Sequence, residues 1–271
     1  MTRDIGADFR ALHQKGTPFI LANAWDAGSA RMLESLGAQA IGTSSAAHAF
    51  TLGRPDLGNI TRDEALTHAQ SLVAAVDVPV SGDFENGFGA DPETCAQTVR
   101  LAAEVGLAGI SIEDMDLPGA TPYPFELAVE RIRAAAAAAR ALPGDFVLVA
   151  RADGIMHAAY DITEALRRLK AFEDAGADCL YAPLPASMDD LARICAATDL
   201  PVNALAAGQY THKTRSDFAN IGVARISLGS TLARATHQVI LEAGRAMFAD
   251  GAFSPMLPVA AGQEIDTLLK R

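Results

Sequence analysis

Only three cysteines, at 95, 179 and 195, stand in 271 residues, and no two have CxxC spacing. An odd, isolated set supports neither a disulfide framework nor a zinc site, and all three lie in apolar stretches where a thiol packs as a small hydrophobe. Lysine is also scarce: Lys15, Lys170, Lys213 and Lys270 are four of the 22 basic residues. Positive charge falls short overall, since 33 Asp+Glu give a net charge of −11. That balance excludes nucleic acid and anionic membrane as partners, because either needs a basic footprint. No apolar run approaches the ~20 residues of a membrane span. The opening stretch, residues 1–16, has no apolar signal-peptide core, so a cytoplasmic location is expected.

What the chain does have is repetition. Half its residues are hydrophobic and a fifth are charged, the balance of a folded globular protein. Short Val/Ile/Leu-rich runs at 19–22, 40–43, 78–82, 109–112, 146–150, 179–182, 202–205 and 224–228 read as strands. Between and after them, 27–36, 62–75, 92–105, 124–141, 162–175, 188–197, 214–221 and 231–250 carry apolar residues at helical spacing. Several of these end at a glycine stop, such as Gly37, Gly106 and Gly176. Eight strand–helix units at this spacing predict a (β/α)8 TIM barrel, one domain over 1–271. The rival doubly wound sheet would place GxGxxG after its first strand, where Asn23-Ala24-Trp25-Asp26 stands instead. A surplus helix at 260–270, within a C-terminal arm 254–271, is expected to dock on a neighbouring subunit.

A barrel does its chemistry at the C-terminal ends of its strands. Those ends carry Asn23, Trp25, Thr43, Ser44, Ser45, Asp83, Glu85, Glu113, Asp114, Arg151, Asp153 and Asn203, with Asp56 in the loop beyond strand two. In Asp83-Phe84-Glu85-Asn86-Gly87, alternation in an extended chain would turn Asp83 and Glu85 to the same side; a turn with two solvated acids is the plainer alternative. Four carboxylates at one mouth repel one another, and a hard divalent cation relieves that repulsion. Oxygen-only donors fit Mg²⁺, or Mn²⁺, held by Asp83, Glu85 and Glu113. Arg151 needs an anionic partner: either a substrate carboxylate, gripped bidentately, or an ion pair with Asp153. Thr43, Ser44 and Ser45 offer further donors to an anion. No lysine ends a strand, which disfavours Schiff-base chemistry, and the histidines show no ligand spacing.

These stretches, with Leu52-Gly53-Arg54-Pro55-Asp56, resemble the isocitrate lyase / phosphoenolpyruvate mutase superfamily over most of the chain. The resemblance implies a barrel whose last helix swaps between subunits, usually in a homotetramer. It also implies Mg²⁺ near Asp83, with Asp56, Glu85 and Glu113 acting largely through waters, and a small 2-oxo or dicarboxylic acid substrate transformed through an enolate-like state. By that resemblance Asp56, Glu85 and Arg151 are the candidate catalytic residues, and Trp25, Thr43, Ser44, Ser45, Arg151 and Asn203 the substrate-binding set. Three features depart from the family. The usual Asp-x-Asp is Asp83-Phe84-Glu85. The segment at 115–123 lacks the K-[KR]-C-G-H lid motif of the lyases. Pro183 replaces their glutamate. These departures argue against isocitrate and methylisocitrate cleavage. They leave carbon–carbon cleavage or decarboxylation of an oxaloacetate-like acid, phosphonate P–C chemistry, or 2-oxo-acid binding without turnover.

Overall fold

The computed structural model describes residues 4–270. The chain runs through α1 (Ile5–Leu12), β1 (Phe19–Asn23), α2 (Ala27–Ser35), β2 (Ala40–Gly42), α3 (Ser45–Thr51), α4 (Arg62–Val73), β3 (Val80–Asp83), α5 (Pro92–Glu104) and β4 (Gly109–Glu113). A small antiparallel hairpin, β5 (Met115–Asp116) and β6 (Thr121–Pro122), follows. Then come α6 (Phe125–Arg140), β7 (Val147–Arg151), α7 (Ile162–Asp174), β8 (Cys179–Tyr181), α8 (Met188–Ala196), β9 (Val202–Leu205), α9 (Arg215–Asn220), β10 (Arg225–Ser227), α10 (Thr231–Asp250) and α11 (Gly262–Leu269). Eight parallel strands close in the order β1-β2-β3-β4-β7-β8-β9-β10, and β10 returns to β1. The expected TIM barrel is formed. No described helix is long and apolar enough to cross a membrane.

Local chemistry explains the element ends. Thr61 and Glu64 form a reciprocal capping box at α4, as Asp26 and Ser29 do at α2. Along each strand, alternate residues face the outer helices or the barrel axis. Ile110, Ile112, Leu148 and Ala150 join the helix-facing core, whereas Phe19, Leu21, Val147, Val149, Cys179 and Tyr181 fill the interior. All three cysteines are buried, as their apolar setting predicts.

The sequence pattern did not reveal α1, which closes the N-terminal end of the barrel. Phe9 is fully buried among the interior residues, and Arg10 grips Asp145 through two 2.7 Å bonds and Asp178 through a third. Gly6 is obligatory there, since a Cβ would lie 1.8 Å from the Asp145 carbonyl oxygen. At the other end, α10 leaves the barrel wall and buries only Ala233 and Ala243. Ile20, on the outer face of β1, is 44% exposed, and Phe248 on α10 is 90% exposed. The surplus helix α11 lies against α2 of its own chain, where Ser35 Oγ donates to the Leu268 carbonyl at 2.7 Å. α10 thus also presents an apolar face without a partner in the single chain.

Two consequences are measurable. His13 is buried between the Phe9 and Phe19 rings, with Nδ1 2.9 Å from the Phe9 carbonyl. Burial, with help from Arg225 and Arg10, pulls its pKa down to about 3. The unfolded chain gains that proton near pH 6.5 while the folded chain refuses it, so this contribution to stability falls as pH drops from 6.5 toward 3, by up to about 1.4 kcal/mol per pH unit. Denaturant titrations of His13→Leu should show a shallower acid dependence; an unchanged slope would refute the assignment. Arg131, fully buried on α6, donates to the backbone carbonyls of Glu113, Asn86 and Gly89 and so ties β4 to the turn after β3. Arg131→Met should cost about 2–4 kcal/mol by leaving those carbonyls unpaired and should speed hydrogen exchange at 86–89. Unchanged exchange there would remove its positioning role.

Candidate active site

At the C-terminal end of the barrel a cavity of about 270 Å³ is lined by Thr43, Ser44, Ser45, Asp56, Asp83 and Arg151, among others. Asp83 and Arg151 end β3 and β7, and both reach the axis. Arg151 Nη1 donates to Asp83 Oδ1 at 2.7 Å, while Nε and Nη2 grip Asp153 at 2.8 and 2.9 Å. Asp153 is completely buried. Burial works against the charge on the guanidinium, but Asp153, Glu113 and Asp83 hold it firmly cationic. Its planar fork is therefore taken by the protein's own carboxylate, the second of the two partners that the sequence allowed. Of five guanidinium N–H groups, three are committed in this way and two remain for a ligand.

The hydroxyls have a different task from the one expected. Ser45 donates to Asp83 Oδ2 through both backbone N–H (2.9 Å) and Oγ (2.8 Å), and Asp83 N–H donates to Thr43 Oγ1 at 2.7 Å. Ser44 Oγ accepts from Ala47 N–H and caps α3. All three line the cavity, yet Thr43 and Ser45 serve first to fix Asp83 and Ser44 to cap α3. Asp56 lies on an exposed loop at the mouth, its Oδ1 accepting from Leu57 N–H at 2.7 Å.

Glu85 and Glu113 depart from the expected shared face. The chain is not extended beyond Asp83: Glu85 has φ +45°, and Gly87 N–H closes a turn onto the Phe84 carbonyl at 2.8 Å. Glu85 consequently lines an outer groove beside the cavity, where its Oε1 accepts from Gly58 N–H at 3.0 Å. Burial, then repulsion from Asp83 and Asp56, raises it to about 7. Glu113 is buried on β4, 3.8 Å from Arg151 Nη1. Burial drives its pKa well up, Arg151 opposes this, and Asp153 and Asp83 drive it further. Among the described residues no three Asp, Glu, His or Cys side chains converge to hold a metal directly, so the expected direct ligand set Asp83, Glu85 and Glu113 is not assembled. The donor set still suits Mg²⁺ held through water, since that ion keeps several waters and takes one or two carboxylates.

Two substrate-binding candidates lie elsewhere. Trp25 sits over a surface hollow with His48 and His68, whose rings stack at 3.9 Å, and His68 Nε2 meets the Trp25 carbonyl at 2.9 Å. Asn203 is completely buried inside the barrel and does not line the cavity; its Nδ2 donates to Ser227 Oγ at 2.9 Å. Further residues complete the frame. Asp114 faces outward and collects Arg168, Tyr160 and the Asp153 N–H. In the hairpin, Tyr123 OH donates to Asp116 and accepts from Asn86, which pins it. Tyr181, Arg225 and Arg234 also line the cavity. A strand-end rule points at the last residue of β7; it has no means of finding arginines at the start of β10 or on α10.

Comparison with known proteins places this arrangement. Residues 9–248 match the Phosphoenolpyruvate phosphomutase family. A crystal structure from Burkholderia cenocepacia J2315, provisionally described as a lyase/mutase, superposes with a TM-score of 0.91 at 44% identity, covering 97% of this chain and 94% of that one. The 2-methylisocitrate lyase of Salmonella typhimurium is 36% identical over 184 residues, 65% of this chain and 61% of its own length. The 2,3-dimethylmalate lyase of Eubacterium barkeri is 33% identical over 196 residues, 69% of this chain and 66% of its own. A barrel that matches the family over nearly its whole length, with its carboxylates and arginine gathered at the mouth, belongs to the phosphoenolpyruvate phosphomutase family within the PEP mutase/isocitrate lyase superfamily.

Proposed function

We propose that this chain is a Mg²⁺-dependent lyase that breaks a carbon–carbon bond, by cleavage or decarboxylation, in a small oxaloacetate-like 2-oxo acid. The observation that carries this reading is the Asp83–Arg151 pair facing a small polar cavity at the barrel mouth. A cavity of about 270 Å³ with hydroxyls and charges on its wall suits a short acid. Asp83 would hold the cation directly, with Glu85, Glu113 and Asp56 acting through bound water. So bound, Mg²⁺ would polarise the 2-oxo group and stabilise charge developing on its oxygen. Arg151 turns its two free N–H groups to the substrate carboxylate, while Asp153 locks the guanidinium plane. Ser45 and Thr43 keep Asp83 from following its charge.

The lyases' lid acid has no counterpart here. The hairpin at 115–123 contains no cysteine, lysine or histidine, and its Tyr123 hydroxyl is already tied to Asp116 and Asn86. Protonation of the carbanion therefore falls to solvent, which suits decarboxylation or release of an enolate better than a reaction needing a dedicated acid. The family match also favours phosphonate P–C chemistry as a second reading. The apolar face of α10 supports a working oligomer, a dimer of dimers, in which a second copy covers that helix.

Steady-state assays of the Mg²⁺-loaded protein against oxaloacetate, phosphonopyruvate and alkylmalates separate these reactions. Turnover of oxaloacetate above the others is expected, and turnover of none of them would leave a binding protein. Asp83→Ala should abolish Mg²⁺ binding in calorimetry with the circular dichroism of the barrel retained; unaltered affinity would rule out the metal assignment. Arg151→Lys should weaken 2-oxo-acid binding about ten- to a hundredfold, because a point charge replaces the fork. Wild-type affinity for 2-oxobutyrate in that variant would make Arg151 purely structural.

A further inference from the structure

The floor of the cavity holds a positive charge that the chemistry above leaves unused. Arg225 is the first residue of β10, in register with Phe19 and Asn203, whereas Asp83 and Arg151 are the last residues of their strands. It is 5% exposed and lines the cavity from beneath. Among the described residues its Nε and Nη1 have no hydrogen-bond partner. The ring of Phe9 stands 5.9 Å from its guanidinium carbon, and Arg151 is a like charge that, with burial, makes the site less hospitable to a cation. The neighbouring Asn203 Oδ1 is also unpartnered, as is Ser81 Oγ on the cavity wall, so the group does not satisfy itself. Buried donors and acceptors are almost always paired, and a buried charge without a counter-charge is the costliest exception.

We propose that Arg225 anchors a second anion subsite, which reads the distal carboxylate of a dicarboxylic acid whose other end lies at Asp83 and Arg151. The proposal rests on reading the cavity as a small-acid site and deepens that reading. The topology suits it. Around the ring, β10 stands three strands from β3 and three from β7, so its side chains face the Asp83–Arg151 corner across the cavity. Ser227, two residues along the same strand, and Ser81, across the cavity on β3, line the same space with their hydroxyls. Arg234, exposed on the first turn of α10, lines the rim of the same wall. The charge arithmetic points the same way. Arg151 is answered by Asp83 and Asp153, whereas among the described residues Arg225 is answered by no carboxylate. A dianion supplies what the protein withholds, and a monoanion of equal length leaves the floor unpaired.

Malate and 2-hydroxybutyrate have the same four-carbon chain and differ only in the distal carboxylate, which makes them the probes. Calorimetry with Mg²⁺ present should show wild-type protein binding malate at least about tenfold tighter, the worth of a charge-assisted contact. In Arg225→Met that preference should fall below about threefold, while the ligand-free melting temperature holds or rises because an unpaired buried charge has gone. Equal wild-type affinity for both acids overturns the subsite and leaves the small-acid reading standing; this would be the behaviour of an Arg225 satisfied by water alone. A variant that keeps the preference also overturns it. Failure of wild-type protein to bind either acid overturns both readings. Because the wild-type comparison decides by itself, a variant that fails to fold does not protect the proposal.

Discussion

A guanidinium buried at the top of a barrel can persist only if anions surround it, and much of the site follows from that constraint. Arg151 links two strands that are not neighbours, since β4 lies between β7 and β3. It does so by binding Asp153 from its own strand end and Asp83 from two strands away. Glu113, on the strand between them, is thereby placed beside a cation and two acids at once, and burial disposes it to keep its proton. The cluster is held open by its own cation, and the α3 amide and hydroxyl at Ser45 restrain Asp83 where it faces the cavity.

A second layer of arginines supports the first. Among the described residues Arg131 has no carboxylate partner; three backbone carbonyls in the strand-end turns solvate it, and its guanidinium carbon lies 4.1 Å from the Tyr123 ring centroid. Arg168 joins Asp114 to the Tyr123 carbonyl. Both tasks need several donors in fixed directions, which a guanidinium provides and an ammonium does not. The scarcity of lysine is consistent with a frame built this way. Arg225 stands apart from this pattern because, among the described residues, its Nε and Nη1 meet no acceptor and no carboxylate pairs with it, and that difference separates a structural arginine from one awaiting a ligand.

Met115–Asp116 pairs with Thr121–Pro122 beside the loop at 56–58, close enough that a Cβ on Gly58 would lie 3.1 Å from Leu117 Cβ. The hairpin thus shapes the outer groove that holds Glu85 and leaves the barrel cavity to the β10–α10 wall.

The sequence by itself determined the barrel, its eight strands to within two residues, and the placement of Asp83 and Arg151 at their ends. It could do so because side-chain periodicity and helix stops are local properties, readable along a chain without knowing what packs on it. It also named Asp153 as a possible partner of Arg151, since two residues at one strand end are neighbours in any fold. What only the tertiary structure decided were the facts that depend on direction. Glu85 turned away because a left-handed residue ended the extended run at Asp83. Trp25 faced a surface hollow, Asn203 sank below the cavity, and the short helix α1, too brief to show a period, became the barrel's floor. The pairing of one arginine and the loneliness of another were settled by distances between strands far apart in sequence, and no local pattern encodes those.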